Sequence, residues 1–404
     1  MGFVANALQR WGARAAVPLS EPRVTVSGRF SGDSTGMNLS EREVLGWPVV
    51  LQAMRVMSWS LASLPCHIYE RTEDGLEKLA ADDHRLRWVL HEEPHPEYTP
   101  FEFMSAVVFN ALFRGNFFGY IMTDWAGEVE CIVPLVTSRM QVDRPNDAIR
   151  YRYRTEDGEV YTLPASEVLH IKGFNDGGVL GYALNEIAPN TFAKGVAMDR
   201  FGARVFKNGM TGGAVIEAEQ PFKFNNNDEK KRFYDKIQES MSGQDNWHRV
   251  IGLPYGMKMK NLGVSAKDAQ LIEGLTFQVQ DVARLTGIPP TLLMDLSRAT
   301  FTNSEQQMLQ FVQLTLGPWI VNIEQALMAK LLSREERKKY KIKFLVDALL
   351  RADLKTQSEA LAVAVGGPWM TLNEARRLKE LSPLEGGNEV ARPQKTRGAG
   401  APGG

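Results

Sequence analysis

Between Phe117 and Lys172 apolar side chains recur at every second position, whereas before and after that stretch they recur every third or fourth. No single regular element satisfies both periods, because alternation buries one face of a strand and the longer period buries one stripe of a helix. The chain is therefore expected to be an α+β protein whose antiparallel region is flanked by helices. Within that region FFGYIMTD and EVECIVPL meet across Trp125-Ala126-Gly127, and IRYRYRT and EVYTLP meet across Glu156-Asp157-Gly158, each with a glycine suited to a tight hairpin turn. Alternation in Arg150-Tyr151-Arg152-Tyr153-Arg154 predicts an inward tyrosine face and a solvated arginine face. The competing reading of the same residues is a basic-aromatic platform for nucleic acid.

The helical flanks carry their own start and stop signals. Ser40 with Glu43 is a capping-box pattern, and Val49, Ala53, Met57, Leu61 and Leu64 follow at helical spacing until Pro65, with a strand at Cys66 to Glu70. Thr99, Pro100 and Glu102 open a second helix through Phe103, Val107, Ala111 and Leu112 to Gly115. Pro189 opens another, with Phe192, Val196, Met198, Phe201 and Val205 on one face and Gly209 as its end. Residues 214–263 read as a small α/β insert: a strand at Ala214 to Glu217, a helix at Asp228 to Met241 and a strand at Val250 to Leu253. A helix from Ala266 to Leu285 is stopped by Gly287 and Pro289. Thr302 with Glu305 caps a long helix reaching Leu331, in which Pro318 predicts a kink. The last helical signal is Leu372 to Leu381, and both the Pro/Ser/Gly-rich residues 18–38 and the tail from Glu385 to Gly404 are expected to have little structure of their own.

Charge and cysteine content exclude several classes. With 47 Lys and Arg against 48 Asp and Glu the formal charge is −1, so gripping nucleic acid by bulk charge is out. Cys66 and Cys131 are the only cysteines and lack CxxC spacing, which argues against a disulfide framework or paired-cysteine zinc site and fits a reducing compartment. The stretch Val49 to Leu64 is broken by Gln52 and Arg55, short of the roughly 20 apolar residues of a membrane span. No membrane contact is expected. The N-terminal MGFVANALQRWGARAAV places Arg10 and Arg14 behind its apolar run, unlike a secretory signal, and reads as a small amphipathic segment.

Two motifs suggest hydrolases. His91-Glu92-Glu93-Pro94-His95 fits H-E-x-x-H, but zinc proteases need both histidines on one helical face, and Pro94 and Pro96 forbid a helix there. Gly32-Asp33-Ser34-Thr35-Gly36 fits G-x-S-x-G, yet polar loop flanks it where a nucleophile elbow needs a strand and a helix. A zinc or serine hydrolase on His91 and His95 or on Ser34 is the alternative from another class. No Gly-Lys dipeptide occurs, so nucleotide-driven work belongs to a partner. Arg334-Glu335-Glu336-Arg337-Lys338-Lys339 reads as a solvated helix end with cations near its dipole. No catalytic residue, metal ligand or cofactor is expected.

A set of phrases occurs in order along the chain. The first half has Pro94-His95-Pro96, Thr99-Pro100-Phe101-Glu102-Phe103 and Gly115-Asn116. The second half has Phe206-Lys207-Asn208-Gly209 with Gly212-Gly213, Val250-Ile251-Gly252-Leu253-Pro254 with Gly256-Met257, Ser265-Ala266-Lys267-Asp268-Ala269-Gln270-Leu271, and Gly287-Ile288-Pro289-Pro290. Asn303-Ser304-Glu305-Gln306-Gln307 follows, then Asn373-Glu374-Ala375-Arg376 ahead of Pro383-Leu384-Glu385-Gly386-Gly387. In number, order and spacing this closely resembles the HK97-type portal proteins of tailed bacteriophages, over residues 40–388; a phage-like gene transfer particle could use the same protein. Gly181-Tyr182-Ala183-Leu184 departs from it, standing where the family tends to have a Gly-x-Ser-Pro turn.

The resemblance implies a portal fold. Its parts would be a flexible N-terminal arm (1–38), an α/β wing (39–188), a first stem helix (189–213) and an inserted small α/β clip (214–263). A second stem helix (264–287), a tunnel loop (288–302), a kinked long helix with a wing strand (303–353), a helical crown (354–384) and a disordered tail (385–404) would follow. It further implies a non-enzymatic ring, usually of twelve subunits, at one capsid vertex of the virion, present in the host cytoplasm during assembly. The ring would conduct double-stranded DNA in packaging and ejection, and its partners would be the terminase large subunit, the major capsid protein and a head–tail connector. Arg298 is the one cation of the tunnel-loop candidate and, with Ser297, Thr300 and Thr302, would face DNA; pairing of Arg298 with Asp295 or with a neighbouring subunit is the equal alternative. Phe233, Ile237, Lys258 and Lys260 would serve partner docking at the clip. Twelve such chains would total about −12, which suits a channel that must hold DNA weakly.

Overall fold

The computed structural model describes residues 24–25, 29–31, 38–71, 77–79, 84–145, 148–207, 214–218, 226–241, 257–261, 279–295, 301–346, 354–367, 369–378 and 384–390. The chain forms two units, Met1–Phe344 and Leu345–Gly404. In the first, the arm is more ordered than its composition suggests. Strand β1 (Val24–Thr25) pairs with Gln141 and Val142, and β2 (Arg29–Ser31) pairs with β3 (Asn38–Ser40). Pairing supplies backbone partners that Pro/Ser/Gly content does not reveal.

Ser40 and Glu43 form the expected capping box, with the Glu43 amide donating to Ser40 Oγ at 3.3 Å and the Ser40 amide to Glu43 Oε2 at 2.8 Å. They open only α1 (Glu41–Leu45), and α2 (Pro48–Ala62) is a separate helix. The single helix expected here is divided because a residue preceding proline is driven out of the helical region: Trp47 has φ −77°, ψ 117°. β4 (Cys66–Arg71), β5 (Glu77–Leu79), α3 (Arg85–His91) and α4 (Pro100–Phe113) follow. The Thr99–Glu102 box of α4 is also formed. The hydrogen bonds from the Ser40 and Thr99 backbones hold the Glu43 and Glu102 carboxyls below the ordinary range.

The alternating stretch gives β6 (Asn116–Thr123), β7 (Val129–Leu135), β8 (Met140–Asp143), β9 (Arg150–Arg154), β10 (Val160–Pro164) and β11 (Val168–Lys172). They split into two antiparallel sheets, β11-β6-β7 and β1-β8-β9-β10. Gly127 and Gly158 take φ 84° and 87° in the hairpin turns. Phe118, Tyr120, Met140, Val142, Tyr151, Tyr153, Leu163 and Val168 share one buried cluster between the sheets. The other face of β6 meets α4, with Phe117 edge-on to Phe103 at 6.0 Å, so β6 is buried on both sides. Tyr151 and Tyr153 point inward as expected, which removes them from any stacking platform. The expectation of a fully solvated arginine face fails at Arg152, which is buried and ion-paired with Asp143.

α5 (Leu184–Ile187) and α6 (Pro189–Lys207) come next. Trp47 packs against α6 where a glycine leaves room: a Cβ at Gly195 would collide with the indole. Arg200 of α6 pairs with Glu43. Ala183 sits at the N-cap of α5 without a side-chain cap, and Glu186 Oε2 accepts its amide at 3.1 Å. Ala183→Ser would complete a reciprocal box, and a denaturant titration is expected to show a gain of about 0.5 kcal/mol; no gain would mean the amides are already fully satisfied.

β12 (Ala214–Ala218), α7 (Asn227–Met241) and β13 (Met257–Asn261) form the insert, with β12 and β13 antiparallel. The strand expected at Val250 to Leu253 lies outside the described residues, and β13 was not anticipated because its Met-Lys alternation carries neither β-branched nor aromatic residues. Helix α8 is described over residues 279–286, the end of the helix expected from Ala266. α9 (Phe301–Gln310), a π-helical segment (Phe311–Leu316) and α10 (Gly317–Leu331) then run on without a break. α11 (Glu336–Lys339) and β14 (Tyr340–Phe344) close the unit, with β14 completing the sheet β14-β4-β5. Arg337 does more than sit at a solvated end: it donates to the Leu332 carbonyl at 3.0 Å and the Ala329 carbonyl at 2.8 Å, satisfying the C-terminus of α10.

The second unit contains α12 (Leu354–Gly366) and α13 (Leu372–Leu378). The tail was expected to lack structure from Glu385, but its described residues, up to 390, are tied to α13 by Asn373. Its Oδ1 accepts the Leu384 amide at 2.7 Å, its Nδ2 donates to the Leu384 carbonyl at 2.9 Å, and its amide donates to the Gly387 carbonyl at 2.9 Å.

Candidate functional site

Helix α8 stops at Gly287, whose φ of 72° is the left-handed conformation glycine adopts freely. Pro289 and Pro290 cannot continue a helix, and Pro290–Leu293 instead makes a 3-10 turn. That turn is closed by the Met294 amide donating to the Thr291 carbonyl at 3.1 Å and the Asp295 amide to the Pro290 carbonyl at 3.0 Å, which holds Met294 at φ 65°. Three side chains anchor the turn from different elements. Gln52 of α2 donates to the Leu292 carbonyl at 3.3 Å, Thr291 Oγ1 donates to Gln307 Oε1 of α9 at 2.6 Å, and Thr315 Oγ1 donates to the Gly287 carbonyl at 2.5 Å. Ile288 and Leu293 are buried beneath it. A cleft of about 620 Å³ lies between the end of α8, this turn and the α9–π junction, lined by residues including Arg284, Pro289, Asp295, Gln307, Phe311 and Leu314.

Residues 48–380 match the family model described as phage portal protein. This chain belongs to the phage portal protein family. The portal protein of Enterobacteria phage HK97 is 26% identical over 365 residues, covering 90% of this chain and 84% of that one. Among solved structures, an HK97 family phage portal protein from Corynebacterium diphtheriae has a TM-score of 0.57 at 21% identity, covering 78% of this chain and 98% of its own. A chain in the neck of an empty GTA particle computed with C6 symmetry has a TM-score of 0.62 at 19% identity, covering 94% and 100%. The fold is that of portal proteins, a family of structural components.

In this portal-family chain the anchored turn begins the segment expected to face DNA. Ser297, Arg298 and Thr300 lie outside the described residues. Thr302 stands inside the first turn of α9, which starts at Phe301, and not in the loop before it. Of the residues expected to dock partners, Phe233 lies on α7, half-buried, with its ring 5.7 Å from that of Tyr234. Ile237 lies on the same helix, while Lys258 and Lys260 fall on β13 opposite Glu217 and Val215. The structure therefore places these four residues on two elements of one insert.

The hydrolase motifs resolve differently. α3 ends at His91, and His95 lies beyond it, buried, bridged to Tyr98, with Nδ1 accepting the Glu97 amide at 3.0 Å. Burial pushes the His95 pKa down. His91 instead packs at a tilt against His67, ring centroids 4.3 Å apart, and because α3 ends at His91 the two histidines of the motif share no helical face. Ser34 lies outside the described residues. Among the described residues no group of three His, Cys, Asp or Glu side chains is disposed to hold a metal ion, and no helix is long and apolar enough to cross a membrane.

Sequence reasoning singled out the Gly-Ile-Pro-Pro phrase and the phrase that ends at Gln307, but not the anchors Gln52 and Thr315. Gln52 and Thr315 are remote from it in sequence, and neither residue type carries a local signal. The accessible clue was Pro318, which predicts a kink in the long helix; the disturbance takes the form of a π-helical segment, in which Thr315 lies.

Proposed function

We propose that this chain assembles into a closed ring of twelve subunits at one vertex of a capsid and conducts double-stranded DNA during packaging and ejection. The family match over residues 48–380 carries the reading. The fold shared with a chain of a GTA neck computed with C6 symmetry supports it, since twelve copies are compatible with that symmetry. In this reading residues 39–188 serve as a wing, α6 and α8 as stem helices, the insert as a clip, residues 288–300 as a tunnel loop and the second unit as a crown. The ring occupies the virion's portal vertex and passes through the host cytoplasm while it assembles. It takes a terminase large subunit and then a head–tail connector at the clip, where Phe233, Ile237, Lys258 and Lys260 lie, and it contacts the major capsid protein at its rim. Its role is that of a conduit, not a catalyst.

Native mass spectrometry with negative-stain imaging tests the assembly, and a ring of about twelve copies with a central hole is the expected result. A stable monomer at every concentration and salt would overturn it. Arg298→Ala is expected to leave that ring intact while lowering the amount of DNA retained per particle, because repeated around a ring the guanidinium gives sparse, sequence-independent phosphate contacts. Unchanged packaging in the variant would remove Arg298 from the channel reading.

A further inference from the structure

The widened turn between α9 and α10 has an identifiable cause. In an α-helix the amide of residue 318 would donate to the carbonyl of residue 314, but Pro318 has no amide hydrogen and its ring presses on that carbonyl. The helix answers by changing register, and the Gly317 amide reaches the Val312 carbonyl five residues back. Gly317 and Pro318 are the two weakest helix formers, so neither register is strongly held by the residues that pass through it.

The side chains around the junction suit both registers. In the present one Phe311, Val312 and Leu316 are buried, while Leu309 is 44% and Leu314 73% exposed. Carrying the α-helical period back from Ile323, Ile320 and Leu316 places Leu309 on the buried stripe instead. An apolar residue is thus available to each arrangement. The cleft of about 620 Å³ lies against Gln307, Gln310 and Leu314, which leaves α9 room to roll.

Two contacts to the turn distinguish the registers, the Thr291–Gln307 bond to α9 and a bond from the π segment. Thr315 Oγ1 donates to the Gly287 carbonyl at 2.5 Å, joining the π segment to the turn at the end of α8. A shift of one residue rotates that side chain by about 100° and breaks the bond. We propose that the π segment is a two-position joint, in which α9 turns by one helical register against α10 and the Thr315–Gly287 bond holds the π position. The joint goes beyond the conduit reading and does not depend on it, since every part lies within one chain.

Spin labels at Gln306→Cys and Gln325→Cys, both exposed positions on either side of the joint, read its setting. Cys66 and Cys131 are buried and remain in place. The full chain is labelled and diluted into a large excess of unlabelled chain, so that pulsed electron–electron resonance reports distances within one copy. Thr315→Val is expected to raise the population of a second distance by about three- to tenfold, the effect of removing one hydrogen bond. Pro318→Ala restores the donor that the α register lacks and is expected to move the distribution to the same second distance. Because Thr315→Val alters only a side chain outside the buried core, it tests the joint even if Pro318→Ala folds poorly. A distribution left unchanged by Thr315→Val, and by Pro318→Ala where that variant folds, would overturn the proposal.

Discussion

Asp143→Ala is expected to cost about 3–5 kcal/mol of folding stability, because it strands a buried guanidinium. Asp143 and Arg152 lie diagonally on the neighbouring strands β8 and β9, with side chains only 5% and 8% exposed. The second cation near Asp143, Arg150 at 3.6 Å, is 35% exposed and can turn to water when the carboxylate is removed. Arg152 cannot. The pair is also incompletely satisfied, since among the described residues Arg152 Nε, Asp143 Oδ1 and Gln141 Nε2 are buried without hydrogen-bond partners. Desolvation therefore takes back much of what the ion pair contributes, and an apolar replacement of both partners should do nearly as well. The double variant Asp143→Ala with Arg152→Met is accordingly expected to recover most of the loss. Chemical denaturation of the parent, the two single variants and the double variant completes the cycle. A loss under about 1 kcal/mol for Asp143→Ala would mean that Arg152 reaches solvent, and the pair would then be no more than a surface bridge.

Arg152 also shows what could be read in advance and what could not. Period-two alternation correctly put Tyr151 and Tyr153 into the core, because a strand's two faces follow from pleat alone. Whether the opposite face meets water depends on what covers it, and that information lies in other segments. The same limit recurs elsewhere. Ser40 and Thr99 were legible as caps because capping is local, and Pro48 carries the local signal for the break at Trp47, which the helical spacing running on to Leu64 masks. Ser333 with Glu336 and Thr371 with Glu374 have the same spacing and form the same reciprocal bonds, yet they precede short segments with weak periodicity and so went unused. At the candidate site the Gly287-Ile288-Pro289-Pro290 phrase stood out, whereas Gln52 and Thr315 become its anchors only through folding. Pro318 announced a disturbance in the long helix, and its π form follows from how the Gly317 amide finds a carbonyl.

Asn116→Ala is expected to cost about 3–5 kcal/mol, through three buried polar groups left unpaired at about 1–3 kcal/mol each with partial relaxation. The Asn116 side chain is 1% exposed at the start of β6. Its Nδ2 donates to the Gly181 carbonyl at 2.8 Å, and its Oδ1 accepts the Gly181 amide at 2.8 Å, so one amide group closes a two-point bridge to the backbone leading into α5. Oδ1 also meets His170 Nε2 at 2.9 Å, and because Oδ1 can only accept, Nε2 must carry the proton. His170 Nδ1 is then the acceptor, and Tyr151 donates to it at 3.1 Å. Burial, with Lys172 and Lys330 nearby, pushes the His170 pKa down to about 3, so the neutral tautomer persists. The sign of the pH dependence follows: the unfolded chain takes up this proton below its ordinary value of 6.5 while the folded chain does not, so stability is lost as pH falls from about 6.5 toward about 3. His170→Phe should abolish that part of the acid sensitivity while keeping a ring against Phe118, whose centroid lies 4.4 Å away. Asn116→Asp keeps the shape and the acceptor but loses the donor to Gly181, and it should destabilise as Asn116→Ala does. Denaturant midpoints of the two variants at neutral pH decide the matter: large losses in both assign the cost to the polar bridge, a large loss only in Asn116→Ala assigns it to packing volume, and a loss under about 1 kcal/mol in both would show that the bridge is replaced by water.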